Sequence, residues 1–160
     1  KKGVLNAAHQ HIAPESMSKL NKLGEVFGGL SYITAMTDVT GFGLLGHLSE
    51  MCEGSQVNAI VEFTKVPTLN EIDEYLEQQC VPGGTNRNWA SYGHKIEALT
   101  ERQKLVLADP QTSGGLLVAV EAAHTEEFEA LLKANHLPEA NCSSFGWLDV
   151  RVGERLIKVL

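Results

Sequence analysis

Residues 37–52, with the sequence TDVTGFGLLGHLSEMC, mark the point at which an extended segment gives way to a helix. The segment before this stretch, residues 31–36, is short and rich in residues that favour β-strands. The glycines at 41 and 43 suit a loop, and beyond them apolar residues recur at the spacing of a helix. The pattern therefore predicts a strand, a loop over 37–43 and a helix. The apolar stripe of that helix consists of Leu44, Leu45, Leu48, Met51 and Cys52.

Strands and helices alternate on both sides of this stretch. Apolar residues from Pro14 to Phe27 recur at helical spacing, and Gly28-Gly29 is suited to end that helix. The last third is predicted to be strand, helix, strand and strand, with a turn at Gly153-Glu154 joining the final pair. This alternation predicts a layered α+β (α/β) fold. The other predicted strands are 57–63, 114–120, 143–152 and 155–160, and the other predicted helices are 69–79, 101–108 and one that begins near Thr125.

The overall composition is that of a single domain of 160 residues, in which residues 1–13 form a linker or an edge segment. Hydrophobic residues make up 43% of the chain and charged residues 21%, so the chain should fold. The net charge of −7 argues against nucleic acid as a partner, because nucleic-acid binding depends on clustered Lys and Arg. No apolar run in the sequence approaches the roughly 20 residues needed to span a bilayer, so we expect no membrane association.

The cysteines indicate a reducing environment. Cys52, Cys80 and Cys142 are far apart in the sequence, and no two of them form a CxxC pair. An odd number of isolated cysteines is typical of a compartment in which thiols stay reduced. We therefore expect free thiols and a cytoplasmic location.

The loop over 37–43 has the chemistry of an anion and metal site. Its glycines allow backbone N–H groups to approach an anion, and the helix that follows adds a partial positive charge. Asp38 is a hard oxygen ligand suited to Mg²⁺, which takes one or two carboxylates and leaves its other positions to water and phosphate. Thr37 and Thr40 add hydroxyl groups. The alternative, of about equal weight from the pattern alone, is that Asp38 caps the turn and the glycines only close it.

The same loop also contains the spacing of a dinucleotide-binding fingerprint. Gly41, Gly43 and Gly46 spell GxGxxG after a predicted strand, and Glu62 lies near the end of the next predicted strand. Against this hypothesis, a four-residue TDVT segment precedes the first glycine, and the later chain lacks a regular βαβ continuation. Gly46 has a second interpretation, as a helix glycine against which another element packs closely.

A second glycine-containing loop precedes the predicted strand at 114–120. Residues 108–117, ADPQTSGGLL, place the hydroxyls of Thr112 and Ser113 and two glycines directly before an apolar segment. This arrangement suits either an anion site or a tight polar turn, and taken alone it favours the turn.

Three segments together resemble a known family. Residues 37–51, the segment PGGTNRNWASYG at 82–93 and the segment DPQTSGGLL at 109–117 are similar to signature segments of the selenophosphate synthetases (selenide, water dikinases). Their order and spacing separate this family from relatives that share its fold and ATP use, such as aminoimidazole ribonucleotide synthetase. The resemblance covers about the whole chain. It implies the C-terminal domain of such an enzyme, an aminoimidazole ribonucleotide synthetase-like domain with a mixed sheet flanked by helices.

The resemblance also implies an activity. The family makes selenophosphate, AMP and phosphate from ATP, selenide and water with Mg²⁺. Its N-terminal domain holds the catalytic Cys or selenocysteine, a Lys, several metal-binding aspartates and the contacts of a homodimer, and no segment here matches that domain. We therefore expect this chain to be inactive alone and to have the missing N-terminal domain as its partner, or, as the alternative, to act as a non-catalytic interaction or scaffold module.

The family motif that contributes an aspartate to the Mg-ATP phosphate site falls on Asp38. Arg87 could bind a phosphate through two hydrogen bonds or brace the neighbouring domain, and both interpretations remain open. His47 and Glu50 lie one turn apart, where they could bind a metal or contact the missing domain, but a solvated helix face is the favoured interpretation. The candidate residues of the ATP phosphate site are Thr37, Thr40, Gly41, Gly43, Arg87, Thr112 and Ser113.

Overall fold

A computed structural model describes residues 2–160 and shows short helices alternating with short strands. Helices and sheets pack in layers, which confirms the predicted α+β class. Residue 1 of the predicted linker lies outside the described residues, and residues 2–13 contain a 3-10 turn and the start of a helix. In chain order the helices are α1 (Ile12–Met17), α2 (Leu23–Phe27), α3 (Gly43–Ser55), α4 (Ile72–Glu77), α5 (Gly83–Tyr92), α6 (Glu101–Leu107) and α7 (Thr125–Ala134), and the strands are β1 (Ile33–Asp38), β2 (Val57–Val61), β3 (Leu116–Val120), β4 (Gly146–Val150) and β5 (Ile157–Val159).

The strands form two sheets. In the first, β1 and β3 pair antiparallel, and Asp38 at the end of β1 lies opposite Leu116 at the start of β3. In the second, β2 lies between β4, to which it is antiparallel, and β5, to which it is parallel. The second sheet is therefore mixed, as expected.

The sheet topology contradicts the dinucleotide-binding hypothesis. That fingerprint requires the strands before and after the helix to lie parallel in one sheet, whereas β1 and β2, on either side of α3, belong to different sheets. Gly46 instead serves close packing: a Cβ at this position would lie 2.5 Å from Cβ of Phe42 and 3.0 Å from Cε1 of Tyr92. The alternative interpretation of Gly46, as a helix glycine at a close contact, is the one that the structure supports.

The predicted turn at Gly153-Glu154 does not join a hairpin. The order of strand, helix, strand, strand in the last third is as predicted, but β4 and β5 lie on opposite sides of β2. The physical reason is burial. Leu156 and Ile157 are each only 1% exposed, and they reach the main core because β5 joins the far side of β2.

The first predicted helix is divided. The structure has α1 and α2 where one continuous helix was expected from Pro14 to Phe27, because the middle of the apolar stripe finds no core. Leu20 is 74% exposed and Met17 is also exposed, whereas Phe27 is buried against Phe128 with ring centroids 5.0 Å apart.

Helix α3 is central to the larger core, as its apolar stripe predicted. Leu45, Leu48 and Cys52 are buried, and they share one apolar cluster with residues of β2, β5 and α6. A smaller cluster around Phe27 and Phe128 packs on the β1–β3 sheet. These contacts hold the first turn of α3 beside the end of β1. The first glycine-containing loop begins there, and the second glycine-containing loop ends there. Among residues 2–160, no helix is both long and apolar enough to cross a bilayer.

Candidate functional site

The two glycine-containing loops meet at one end of the β1–β3 sheet. Because β1 and β3 are antiparallel, the chain that leaves β1 and the chain that enters β3 lie side by side. The N–H of Val39 donates to the carbonyl of Gly115 at 2.9 Å, and the N–H of Gln111 donates to the carbonyl of Thr40 at 3.0 Å. We call residues 37–43 the first loop and residues 108–115 the second loop.

Two glycines make this contact possible. A Cβ on Gly114 would lie 2.2 Å from the carbonyl oxygen of Val39, so any side chain there would separate the loops. Gly43 has a φ of +70°, and a Cβ on it would lie 2.8 Å from the carbonyl oxygen of Asp109. Gly41 differs from both, because a Cβ there would meet no atom within 4 Å.

Three carbonyl groups of the first loop, those of Thr40, Gly41 and Phe42, are bonded to the protein, whereas two of its N–H groups have no acceptor within residues 2–160. The carbonyl of Gly41 accepts from Asn88 Nδ2 at 2.8 Å, and that of Phe42 accepts from the Tyr92 hydroxyl at 2.7 Å. The carbonyl of Thr40 accepts from backbone N–H groups. Among residues 2–160, the N–H groups of Gly41 and Phe42 have no acceptor. The loop thus presents hydrogen-bond donors at the start of α3, where the helix adds a partial positive charge.

His47 supports the first loop from within α3, which corrects the expectation of a solvated helix face. Its side chain is buried, and Nε2 accepts from the N–H of Thr40 at 3.0 Å. A nitrogen that accepts carries no proton, so the proton of the neutral ring belongs on Nδ1, which lies 3.4 Å from Glu50 Oε2. Glu50 itself is exposed, as expected. The sequence held one local signal, since His47 is in the second turn of the helix that follows Thr40.

Helix α5 joins both loops, and sequence reasoning missed it because Gly83 and Gly84 disfavour a helix. Its buried polar face consists of Thr85, Asn88 and Tyr92, and the i, i+3, i+7 spacing of these residues was the signal that could have found it. Asn88 Nδ2 donates to the carbonyl of Gly41 in the first loop and, at 3.0 Å, to the carbonyl of Ala108 in the second.

Asp109 fixes the shape of the second loop. Its carboxylate accepts from Thr85 Oγ1 at 3.2 Å and from Gln111 Nε2 at 2.9 Å. Burial raises the pKa of the Asp109 carboxyl above its usual range, and the two hydrogen bonds oppose that shift in part. Thr112 and Ser113 lie at the exposed tip of this loop, and Ser113 has a φ of 57°.

Asp38 lies at the end of β1 with an exposed side chain. Its backbone carbonyl accepts from the Thr37 hydroxyl at 3.3 Å, while its carboxylate has no hydrogen-bond or ion-pair partner in the described part of the chain. No group of three His, Cys, Asp or Glu residues that could hold a metal occurs within residues 2–160. A cation at Asp38 would therefore need ligands from elsewhere, which fits the preference of Mg²⁺ for water and phosphate oxygens.

Arg87 is not among the residues that join the loops. It lies on the exposed side of α5, away from Thr85 and Asn88, and its Nη1 is near Gly83. The structure thus brings together Thr40, Gly41 and Gly43 with the second loop, and in the described part of the chain Arg87 makes none of the hydrogen bonds that join the loops.

Comparisons with known proteins agree on one family. The family model described as "AIR synthase related protein, C-terminal domain" matches residues 3–142. Selenide, water dikinase of Pasteurella multocida is 59% identical over 122 residues, which cover 76% of this chain and 35% of that protein. The Colwellia psychrerythraea protein of the same name is 53% identical over 137 residues, covering 86% and 40%. That of Aeromonas hydrophila is 49% identical over 160 residues, covering 100% and 46%.

The chain spans less than half the length of these curated relatives, from 35% to 46%. The family match, in contrast, extends over most of this chain and includes both loops and helix α5. The chain therefore belongs to the AIR synthase related family and corresponds to its C-terminal domain.

Proposed function

We propose that this chain is the C-terminal domain of a selenide, water dikinase and that its two loops complete the phosphate-binding part of a Mg-ATP site. The observation that carries the proposal is the hydrogen bonding of the first loop. The carbonyl groups of Thr40, Gly41 and Phe42 are bonded to the protein, and within residues 2–160 the N–H groups of Gly41 and Phe42 have no acceptor. A loop of this kind at a helix N-terminus stabilises a bound anion. The names of the relatives support the choice of enzyme.

The hydroxyl groups of both loops add to these donors. Thr37 and Thr40 come from the first loop, and Thr112 and Ser113 come from the exposed tip of the second. Each can donate to a phosphate oxygen. Arg87 is kept as a candidate either for phosphate binding or for contact with the rest of the enzyme, since its guanidinium is exposed.

Asp38 is the proposed Mg²⁺ ligand. Its carboxylate is exposed at the edge of the first loop, and in the described part of the chain it has no other partner. Mg²⁺, when bound, would offset the negative charge of the phosphates. Phosphoryl transfer depends mainly on positioning and on charge stabilisation, so a single carboxylate at this edge could have a large effect on turnover.

The reaction proposed for the whole enzyme converts ATP, selenide and water into selenophosphate, AMP and phosphate. The nucleophile and the remaining metal ligands would come from the part of the enzyme outside this chain. This chain alone should therefore form no selenophosphate. The proposal also makes the whole enzyme a cytoplasmic homodimer that binds ATP and selenide.

The test is Asp38→Asn in the full-length enzyme, with selenide-dependent AMP formation and the melting temperature as measurements. Asparagine keeps the shape of the side chain and removes its charge. Turnover should fall by about 10²-fold or more, since small misplacements of reacting groups have effects of that size, while the melting temperature stays close to that of the parent enzyme. The matched control is Asp149→Asn, an exposed aspartate on β4, which should leave both measurements unchanged.

Two results would count against the proposal. Full activity of the Asp38→Asn enzyme would show that Asp38 is not a Mg²⁺ ligand. Unfolding of the variant, with full activity in the fraction that remains folded, would make Asp38 a structural turn residue. A non-catalytic scaffold module predicts full activity for both aspartate variants.

A further inference from the structure

We infer that Asn88 is a positioning residue that aims the Phe42 N–H at the bound phosphate. This inference rests on the proposed function, because it assigns one donor of that site and the residue that orients it. Asn88 is 8% exposed and makes no contact with the proposed ligand position through its own side chain; both of its amide hydrogens are used within the protein.

The orientation of the Asn88 amide follows from its neighbours. Nδ2 lies 2.8 Å from the carbonyl oxygen of Gly41 and 3.0 Å from that of Ala108. Both partners are acceptors, so only the NH₂ end of the amide can face them. Aspartate has the same shape but would place an oxygen against two carbonyl oxygens.

The effect of this contact on the first loop follows from the geometry of the peptide bond. The carbonyl of Gly41 and the N–H of Phe42 belong to one planar trans peptide, in which the two groups point in opposite directions. When Asn88 holds the Gly41 carbonyl towards α5, the Phe42 N–H must point away from α5. That N–H is one of the two in the loop without an acceptor among residues 2–160.

Tyr92 and Thr85 also donate from α5 to the loops, but neither of them both bonds to the two loops and orients an N–H without an acceptor. Tyr92 holds the carbonyl of Phe42, but the N–H in that peptide belongs to Gly43 and donates to the Thr40 carbonyl at 3.0 Å. Thr85 contacts Asp109 in the second loop. Within this row of three, Asn88 is the residue that bonds to both loops and also orients a free N–H.

The test uses Asn88→Asp in the full-length enzyme and measures the Kd of the ATP analogue AMP-PNP with Mg²⁺. Hydrogen–deuterium exchange of peptides over residues 37–46 provides a measurement that does not depend on nucleotide. We expect faster exchange in this segment and a Kd raised by about 10- to 100-fold, the effect of losing one hydrogen bond to a charged group. Asn86→Asp is the matched control, since Asn86 is exposed on the same helix, and it should change neither quantity.

The Tyr92→Phe variant distinguishes orientation of the Phe42 N–H from general support of the first loop. It removes one hydrogen bond to the same loop and should lower the melting temperature, but it should raise the Kd much less than Asn88→Asp does. If Asn88→Asp does not fold, Asn88→Ser, with one donor in place of two, tests the same expectation with a smaller effect.

The inference is overturned if Asn88→Asp leaves the Kd unchanged while Asp38→Asn raises it, because the site would then bind phosphate without any contribution from Asn88. It is also overturned if exchange over 37–46 is unaffected. If neither Asp38→Asn nor Asn88→Asp changes the Kd, the phosphate site itself is wrong, and the positioning role is lost with it.

Discussion

The imidazole Nε2 of His47 accepts a hydrogen bond of 3.0 Å from the backbone N–H of Thr40. This bond fastens the first loop to the helix that follows it. The ring is buried, so if it were removed the Thr40 N–H would lose a partner that water could not easily replace.

His47→Leu should therefore destabilise the protein by about 1–3 kcal/mol, the usual penalty for leaving a buried donor unsatisfied. His47→Gln should lose less, because a glutamine oxygen can reach the position of Nε2. Urea unfolding of the two variants measures the difference. Glu50→Gln is the control, since the Glu50 side chain is exposed and should contribute no more than about 1 kcal/mol. Equal losses for His47→Leu and His47→Gln would show that the hydrogen bond is unimportant.

The two glycines of the first loop should respond differently to alanine. Gly43→Ala should cost at least about 2 kcal/mol, because the position has a φ of +70° and a Cβ would lie 2.8 Å from the Asp109 carbonyl oxygen. Gly41→Ala should change the unfolding free energy by less than about 0.5 kcal/mol, since the space around it is open. Chemical denaturation of both variants tests the pair. In the full-length enzyme, Gly41→Ala should still weaken Mg-ATP binding, because the new methyl group would occupy open space beside the N–H groups proposed to bind phosphate.

The cysteines should differ in reactivity. Cys52 is buried, and burial raises the pKa of its thiol to about 11, so almost no thiolate is present at pH 8. Cys142 is also buried, whereas Cys80 is partly exposed. Mass spectrometry after brief iodoacetamide treatment of the native protein should find label on Cys80 and neither of the others. Labelling of all three should follow denaturation. Rapid native labelling of Cys52 would contradict the buried position.

Asp109 should give the protein a pH-dependent stability. Its pKa is raised in the folded state, so folding favours the protonated carboxyl, and this contribution is present at low pH and is lost as pH rises through the folded pKa. Asp109→Asn cannot ionise. The unfolding free energy of the variant relative to the parent should therefore increase as pH rises above about 4, the usual pKa of an aspartate. Urea titrations at several pH values measure this difference. A difference that does not change with pH would show that the Asp109 carboxyl has the same pKa in the folded and the unfolded states.

Several features of the site could be predicted from local sequence. The strand before residue 37, the glycine-containing loop and helix α3 follow from strand-forming residues, glycine spacing and an apolar stripe, each of which acts over a few neighbouring residues. The second loop and β3 were predicted on the same grounds. The family resemblance added that the two loops belong to one site, and the structure brings them into contact through Val39 and Gly115.

Other features depend on parts of the chain that are distant in sequence. His47 is buried because the first loop folds back over it, and Asn88 matters because its amide lies between the Gly41 and Ala108 carbonyls. Contacts between distant segments also place β5 on the far side of β2 and divide the first predicted helix in two. Local pattern determined most of the helices, strands and loops, though not helix α5 or the break between α1 and α2, and it identified side chains with the right chemistry. Only tertiary packing decided which carbonyl groups are bonded to the protein and which N–H groups remain free, because a hydrogen bond between remote segments leaves no periodicity in either of them.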